Sequence, residues 1–159
     1  MKRIYLGFST SKKCKPFSAL IKWWWKTPYS HVYLRWPTPW GFDEVLEASG
    51  SHVRMIEHTT WQKKNKVIKE IAYDIPREQW NEVMINLRGK TGTPYGHLQL
   101  LTLAVCELLG LEENPWGDGD ASWICSELAV KFLSIISKLP PDVYWDRVTP
   151  YDIWEIVHR

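Results

Sequence analysis

Three short runs of alternating apolar and polar residues, close together in the first part of the chain, constrain its fold most. They cover residues 30–36, 42–48 and 52–57. Alternation with a period of two places successive side chains on opposite faces, as in a strand with one buried face. The segments between the runs, Pro-Thr-Pro-Trp-Gly and Ser-Gly-Ser, are rich in turn residues. We therefore predict an antiparallel meander of three strands.

The rest of the chain adds two strands and several helices to this meander. The predicted strands are residues 4–8 and 67–73, and the predicted helices start at Pro16 and Pro76 and cover about residues 96–109, 123–138 and 149–157. Residues 59–66, which include Trp61, and residues 112–121 are predicted loops. The chain has 159 residues and no repeat or linker. We predict a single α+β domain over residues 1–159, with a small antiparallel sheet packed against helices.

Basic residues are concentrated in the amino-terminal part of the chain. The net charge is only +2, yet residues 1–42 hold eight Lys and Arg side chains, and the first acid is Asp43. Such a segment attracts phosphate, anionic lipid or an acidic substrate, and it is equally consistent with a solvated basic rim facing the acidic remainder. No nucleic-acid-binding motif accompanies it, so we expect no nucleic-acid partner.

Targeting, membrane-spanning and metal-binding patterns are missing from the sequence. Residues 4–8 are too short for the core of a signal peptide, and the longest apolar stretch, residues 98–111, is interrupted by polar residues. The three cysteines have no close pair, which argues against a disulfide framework or a zinc site. No phosphate-binding or dinucleotide-binding loop is present. We expect a cytoplasmic protein without a metal ion or cofactor.

Cys125 stands at the predicted start of a helix, behind a glycine-rich loop in which Asp120 and Ser122 are available as caps. Backbone N–H groups and the positive end of the helix dipole stabilise a thiolate there, and the same N–H groups can bind an oxyanion beside the sulfur. A cysteine on an apolar helix is also a common structural residue, which is our interpretation of Cys106, in the middle of a predicted helix. The position of Cys125 favours a nucleophile.

A thiolate nucleophile needs a base and a group that orients the base. Among the five histidines, His31 begins a predicted strand, and Glu47 is an acid inside the next, apolar strand. A carboxylate is costly there without a partner. If the strands pair, Glu47 lies across from His31 and holds its ring, so that Cys125, His31 and Glu47 act as nucleophile, base and orienting acid. The alternative is a half-buried strand histidine and a solvent-facing glutamate.

The order of these residues resembles that of a known superfamily. Phe8-Ser9, Phe17-Ser18-Ala19-Leu20-Ile21 and Tyr29-Ser30-His31-Val32 are similar to the opening of the permuted NlpC/p60 proteins. These are papain-like cysteine hydrolases of the YiiX and YaeF type, with lecithin:retinol acyltransferase as a more distant relative. Further matches follow in register along nearly the whole chain: Val45-Leu46-Glu47-Ala48, Gly92-Thr93-Pro94-Tyr95-Gly96, Trp123-Ile124-Cys125-Ser126-Glu127-Leu128 and Thr149-Pro150-Tyr151-Asp152.

The resemblance implies a circularly permuted papain-like fold, in which the histidine strand precedes the cysteine helix. It implies a cysteine peptidase or amidase type of hydrolase that cleaves an amide or ester bond through Cys125, His31 and Glu47, with a thioester intermediate. Two alternatives stay open: a membrane-associated thiol acyltransferase or lipid hydrolase, and a non-catalytic binding module on the same fold. The expected substrate is a small peptide, amide or lipid-like molecule, and the basic amino-terminal part favours an anionic one.

Tryptophan is unusually abundant, at 11 residues of 159. Trp23, Trp24 and Trp25 cover most of the circumference of a helix, so they cannot all be buried in one core. With Lys22 and Lys26 beside it, this run could contact an anionic membrane surface, stack on sugar rings or acyl chains, contact a protein, or pack under the sheet. Four aromatic residues are predicted to bind substrate near the cysteine helix: Tyr29, Trp61, Tyr95 and Trp123.

Overall fold

The computed structural model describes residues 1–13, 16–96, 109–110, 122–143 and 148–158. Cys14, Cys106, the predicted loop 112–121 and nearly all of the predicted helix 96–109 lie outside these ranges.

Five strands form one antiparallel sheet. They are β1 (Lys2–Ser11), β2 (His31–Pro37), β3 (Asp43–Ser49), β4 (His52–Glu57) and β5 (Asn65–Ile75). The order across the sheet is β4-β3-β2-β1-β5, so the predicted meander of β2, β3 and β4 is confirmed. Strands β1 and β5 extend beyond their predicted ends because they pair with each other along their whole lengths, which satisfies their backbone hydrogen-bonding groups.

Two helices lie between strands along the chain, and the other helices come after the last strand. The helices are α1 (Pro16–Trp25), α2 (His58–Gln62), α3 (Arg77–Val83), which continues into a π-helical turn (Met84–Arg88), α4 (Cys125–Ile135) and α5 (Pro150–His158). Together with the sheet, they give a mixed α/β fold. The prediction of a loop over residues 59–66 is wrong at both ends, since α2 occupies its start and β5 begins at Asn65. The short helix forms because it buries Trp61, which is only 1% exposed, and such tertiary burial overrides a polar local sequence.

One face of the sheet supports the main hydrophobic core. Alternation along β1 sends Ile4, Leu6 and Phe8 to this face, where all three are fully buried. The apolar stripe of α4, which includes Leu128 and Phe132, belongs to the same core. Helix α4 contacts β2 and β3, and this packing determines where its amino-terminal end lies.

The opposite face of the sheet carries a smaller and more polar cluster. Tyr33 and Val45 are buried there against Trp61. The ring of Tyr33 lies over Gly7, where an added Cβ atom would come within 2.2 Å of the ring, so β1 needs a glycine at this position. The Tyr33 hydroxyl donates a hydrogen bond to Glu70 on β5 (2.7 Å), and Glu70 also accepts two hydrogen bonds from Arg35 on β2.

Within the described ranges, the helices are all too short or too polar to cross a bilayer.

Candidate active site

Cys125 is the first residue of α4 and lies at the edge of the core. Its side chain is buried, at 4% exposed. The backbone at Ile124 is extended, and the Glu127 carboxylate accepts a hydrogen bond from the Ile124 N–H (2.8 Å). The first N–H groups of a helix have no carbonyl partner within the helix, so they are available beside the sulfur. This end of α4 therefore provides both a positive potential and hydrogen-bond donors at Cys125.

The cap of α4 differs from the predicted one. Asp120 lies outside the described residues, and Ser122 is two positions before the capping residue, which is Ile124. A carboxylate at the third helical position can bond back to the backbone of the capping residue, and Glu127 does so here. The sequence Ile-Cys-Ser-Glu thus begins the helix without a polar side chain at the capping position.

His31 is the first residue of β2 and is held at the end of the sheet. It pairs with Ser9 of β1, next to an irregularity in the β1–β5 register between Phe8 and Ser9. The Ser30 N–H donates a hydrogen bond to the Ser9 carbonyl (3.0 Å), which fixes the backbone immediately before His31. The imidazole lies beside Cys125, which contributes to its raised pKa, and the His31 side chain is 15% exposed.

Glu47 on β3 is hydrogen-bonded to the Nε2 atom of the His31 imidazole. His31 Nε2 lies 2.8 Å from Glu47 Oε2, which leaves Nδ1 as the nitrogen for the Cys125 thiol. The register pairs Leu34 with Leu46, so continuing it would place Glu47 opposite Tyr33 rather than His31. His31 and Glu47 are therefore diagonal neighbours on one face, within the reach of long side chains. The expectation that they lie directly across from each other is therefore wrong by two residue pairs, although Glu47 does hold the His31 ring.

The Glu47 carboxylate is 1% exposed and fully bonded. Oε1 accepts hydrogen bonds from Arg54 Nε (2.9 Å) and Nη2 (2.6 Å). Oε2 accepts one from Trp61 Nε1 (2.8 Å) in addition to its bond with His31. Because charge-assisted hydrogen bonds offset the cost of burying an anion, this arrangement explains how an acid is tolerated inside an apolar strand.

The surroundings of His31 and Glu47 favour the protonated imidazole and the ionised carboxylate. Burial lowers the pKa of the His31 imidazole, but the neighbouring Cys125 and Glu47 outweigh this and raise it to about 10. Burial also opposes ionisation of Glu47, yet the hydrogen bonds and charge of His31, with the bonds from Trp61 and Arg54, lower its carboxyl pKa to about 2. At neutral pH the site therefore holds an imidazolium between a carboxylate and the cysteine sulfur.

Tyr95 and Trp123 lie beside Cys125. The two residues form a parallel β-bridge, and the Trp123 N–H donates a hydrogen bond to the Pro94 carbonyl (2.9 Å). Burial above all, with the neighbouring Cys125, Glu47 and Glu127, raises the pKa of the Tyr95 hydroxyl well above its usual value, so Tyr95 stays protonated. The Lys90 ammonium lies 4.8 Å from the centre of the Trp123 ring. Both predicted substrate-binding residues are thus next to the cysteine, and their contact with substrate stays a prediction.

Tyr29 and Trp61, also predicted to bind substrate, are located inside the protein. Tyr29 is 3% exposed and packs against Phe8 and Trp154, with ring centres 5.1 and 5.0 Å away. Trp61 is 1% exposed and donates its indole N–H to Glu47. The structure gives Tyr29 a packing role and Trp61 an orienting role, and substrate contact by either residue stays a prediction.

Arg54 is the residue that the sequence interpretation missed. It pairs with Glu47 in the β3–β4 register, two pairs away from Ser49 and His52 at the hairpin turn. Counting back from the Ser49-Gly50-Ser51-His52 turn would have placed a basic residue directly opposite the buried acid. In the described part of the chain, no group of three or more His, Cys, Asp and Glu side chains is arranged to hold a metal ion.

No protein-family model matches this sequence, and no curated protein matches it.

Proposed function

We propose that this protein is a permuted papain-like cysteine hydrolase, of the NlpC/p60 kind, that cleaves an amide or ester bond with Cys125, His31 and Glu47. One observation carries the proposal: the His31 ring is hydrogen-bonded to a buried carboxylate and lies beside Cys125, the first residue of a helix. This is the arrangement by which a cysteine nucleophile is activated and its base oriented. The order of the elements, with the histidine strand before the cysteine helix, supports the permuted topology.

The first half of the reaction would form a thioester. The Cys125 thiolate attacks the carbonyl carbon, and the carbonyl π electrons move to oxygen, where the Cys125 backbone N–H stabilises the negative charge. The tetrahedral intermediate collapses, the bond to the leaving nitrogen or oxygen breaks, and the His31 imidazolium gives its proton to that atom. Glu47 keeps the ring oriented throughout.

The second half would release the acyl group. Neutral His31 accepts a proton from water, and the resulting hydroxide attacks the thioester carbonyl. Collapse of this second intermediate expels the Cys125 thiolate, gives the carboxylic acid and restores the imidazolium. A thiol acyltransferase would differ only in using an alcohol or amine in place of water. The first candidate substrate is a small peptide or amide. Helix α1 exposes an apolar surface, and this favours a lipid-like acyl donor as the second candidate.

The proposal is tested by the reactivity of the three cysteines. Intact protein is treated with limiting iodoacetamide at about pH 6, where ordinary thiols react slowly, and each cysteine peptide is quantified by mass spectrometry. We expect Cys125 to label fastest, with Cys14 and Cys106 as internal references, and His31→Ala to slow its labelling by about tenfold or more. His158→Ala, which changes an exposed histidine on α5, is the matched control and should leave the rate unchanged.

Turnover separates an enzyme from a binding module on the same fold. A panel of p-nitrophenyl esters and amino-acid p-nitroanilides is incubated with the protein, and the acyl-enzyme is sought by intact mass. We expect an adduct on Cys125 and none in Cys125→Ala. Equal labelling of Cys125 in the wild type and in His31→Ala, or full turnover by Cys125→Ala, would contradict the mechanism. A reactive Cys125 that forms no acyl adduct with any ester or amide would favour the binding module.

A further inference from the structure

Helix α1 has its most apolar face turned to solvent. Leu20, Trp23 and Trp24 lie at positions i, i+3 and i+4, which is one face of a helix, and they are 47%, 72% and 36% exposed. The rings of Trp23 and Trp24 are in edge contact, with centres 6.2 Å apart. Pro16 and Ala19 are exposed on the same side. Exposed side chains of this size on adjacent turns form a contiguous patch, unlike single surface hydrophobic residues, which need no explanation.

The inward side of α1 is the more polar one. It contains Ser18 and Lys22 together with Ile21 and Trp25, and all four are only half-buried. None of the described side chains of α1 is buried or belongs to the hydrophobic core. An amphipathic helix normally turns its apolar stripe toward the protein, so the reversed orientation of α1 points to an apolar environment outside the molecule.

Exposed lysines gather at the end of the sheet from which the chain continues to α1. The connection from β1 to α1 meets the turn from α2 to β5, where the Lys12 N–H donates a hydrogen bond to the Lys64 carbonyl (2.9 Å). The Lys12 ammonium also donates a hydrogen bond to the Gln62 carbonyl (2.6 Å). Four exposed lysines are thereby collected at this end of the sheet: Lys12, Lys13, Lys63 and Lys64. Lys26, at the end of α1, adds one more exposed positive charge, whereas Lys22 lies on the inward side of the helix.

We propose that the outward face of α1, formed by Leu20, Trp23 and Trp24, docks on an anionic lipid surface with the neighbouring lysines facing the headgroups. Tryptophan is favoured at the boundary between headgroups and acyl chains, and lysines beside it are attracted to anionic lipid. Binding of a helix to a lipid surface scales with the apolar area it buries and with its attraction to anionic lipid, so the apolar face and the lysines act together. The lysines are the complementary charge that selects a lipid surface over an apolar protein partner.

The inward side of α1 is linked to the residue that precedes the candidate catalytic base. Ser18 on the inward side of α1 and Ser30 share a hydrogen bond between their hydroxyls (2.5 Å), and Ser30 immediately precedes His31. Docking itself does not depend on the reactivity of Cys125. Only the consequence that the thiol would act on acyl carbonyls at a membrane rests on the proposed function.

The test is flotation of the purified protein with lipid vesicles. We expect the wild type to float with vesicles of equal parts phosphatidylcholine and phosphatidylglycerol, and not with phosphatidylcholine alone. Replacing Trp23 and Leu20 together by serine should lower the bound fraction by about tenfold or more, and Lys12→Glu with Lys13→Glu should have a similar effect that added salt mimics. Trp40→Ser is the matched control, since Trp40 is as exposed, at 74%, but lies at the β2–β3 turn.

The outcomes separate this proposal from its rivals. Absence of flotation with the anionic vesicles, equal binding to neutral vesicles, or an equal loss in Trp40→Ser would each overturn it. So would a concentration-dependent dimer that the Trp23 and Leu20 substitutions dissociate in the absence of lipid, because the face would then join two copies of the chain. Circular dichroism of each variant confirms that it is folded. Cys125→Ala should float like the wild type, so failure of the catalytic proposal leaves this result unaffected.

Discussion

Glu47 is bonded in a way that restricts what it can do. Its two oxygens accept four hydrogen bonds, two from Arg54 and one each from His31 and Trp61. A proton on the carboxyl group would require at least one of these donors to turn away, and burial leaves no water to replace it. Glu47 therefore acts as a fixed anion that holds the His31 ring and stabilises its positive charge, and not as a proton acceptor.

Glu47→Gln should destabilise the protein by about 3–5 kcal/mol at neutral pH, since it leaves His31 and Arg54 without their anion. The effect should depend on pH. The carboxyl pKa is about 2 in the fold against 4.5 for an ordinary glutamate, so the stability it contributes is present above pH 4.5 and is lost as the pH falls toward 2. Urea unfolding of both proteins at several pH values measures this difference.

The matched control for that series is Glu57→Gln, an exposed acid at the end of β4. It should change the free energy of unfolding by less than about 0.5 kcal/mol at every pH. A Glu47→Gln protein whose deficit stays constant from neutral pH to about pH 2.5 would show that the charge of Glu47 is not what stabilises the fold.

The raised pKa of His31 predicts an unusual pH dependence for alkylation of Cys125. The imidazolium persists until the pH rises through about 10, so the sulfur has a positive neighbour over the whole neutral range. We expect Cys125 to be alkylated faster in the wild type than in His31→Ala below about pH 10, and this difference to shrink once the pH exceeds about 10. Stopped-time labelling with mass spectrometry follows both rates. A ratio of the two rates that does not change near pH 10 would exclude a protonated His31 as the cause of the difference.

At the scale of single elements, the amino-terminal end of α4 matters most, because it places the nucleophile. The apolar periodicity predicted a helix from about residue 123, and the structure begins it at Cys125. The helix could be predicted because its stripe of core residues is regular. The cap of this helix could not be predicted, because the capping position holds Ile124, which has no polar side chain. The hydrogen bond there runs from the Ile124 backbone N–H to the Glu127 carboxylate.

Glu127→Ala should remove that cap and lower the stability of the protein by about 1 kcal/mol. It should also slow alkylation of Cys125, because fraying of the first turn moves the sulfur away from His31. Glu127→Gln keeps an oxygen that can accept the Ile124 N–H, so it is the control and should retain most of both properties. Thermal unfolding and labelling kinetics measure the two effects, and an unchanged melting temperature in Glu127→Ala would exclude the capping role.

At the scale of the whole molecule, the sequence predicts the individual strands and helices better than it predicts which of them lie side by side. The β2–β3–β4 meander follows from local turns, and it suggested that His31 and Glu47 lie close together. The placement of β5 beside β1 follows from no local pattern, and it creates the second polar cluster, in which Glu70 of β5 meets Arg35 of β2 across β1. The roles of Trp61 and Arg54 were missed for a related reason: each depends on which residue of another element it faces.

The hydrogen bond between Ser18 and Ser30 has a consequence for how the protein would find its substrate. It couples the orientation of α1 to the backbone that positions His31. A molecule held at a bilayer by α1 would diffuse in two dimensions, and its reactive sulfur would stay at nearly constant depth and angle relative to the lipid headgroups. Selectivity would then arise from the height at which a carbonyl lies above the membrane, in addition to the chemical groups that surround it.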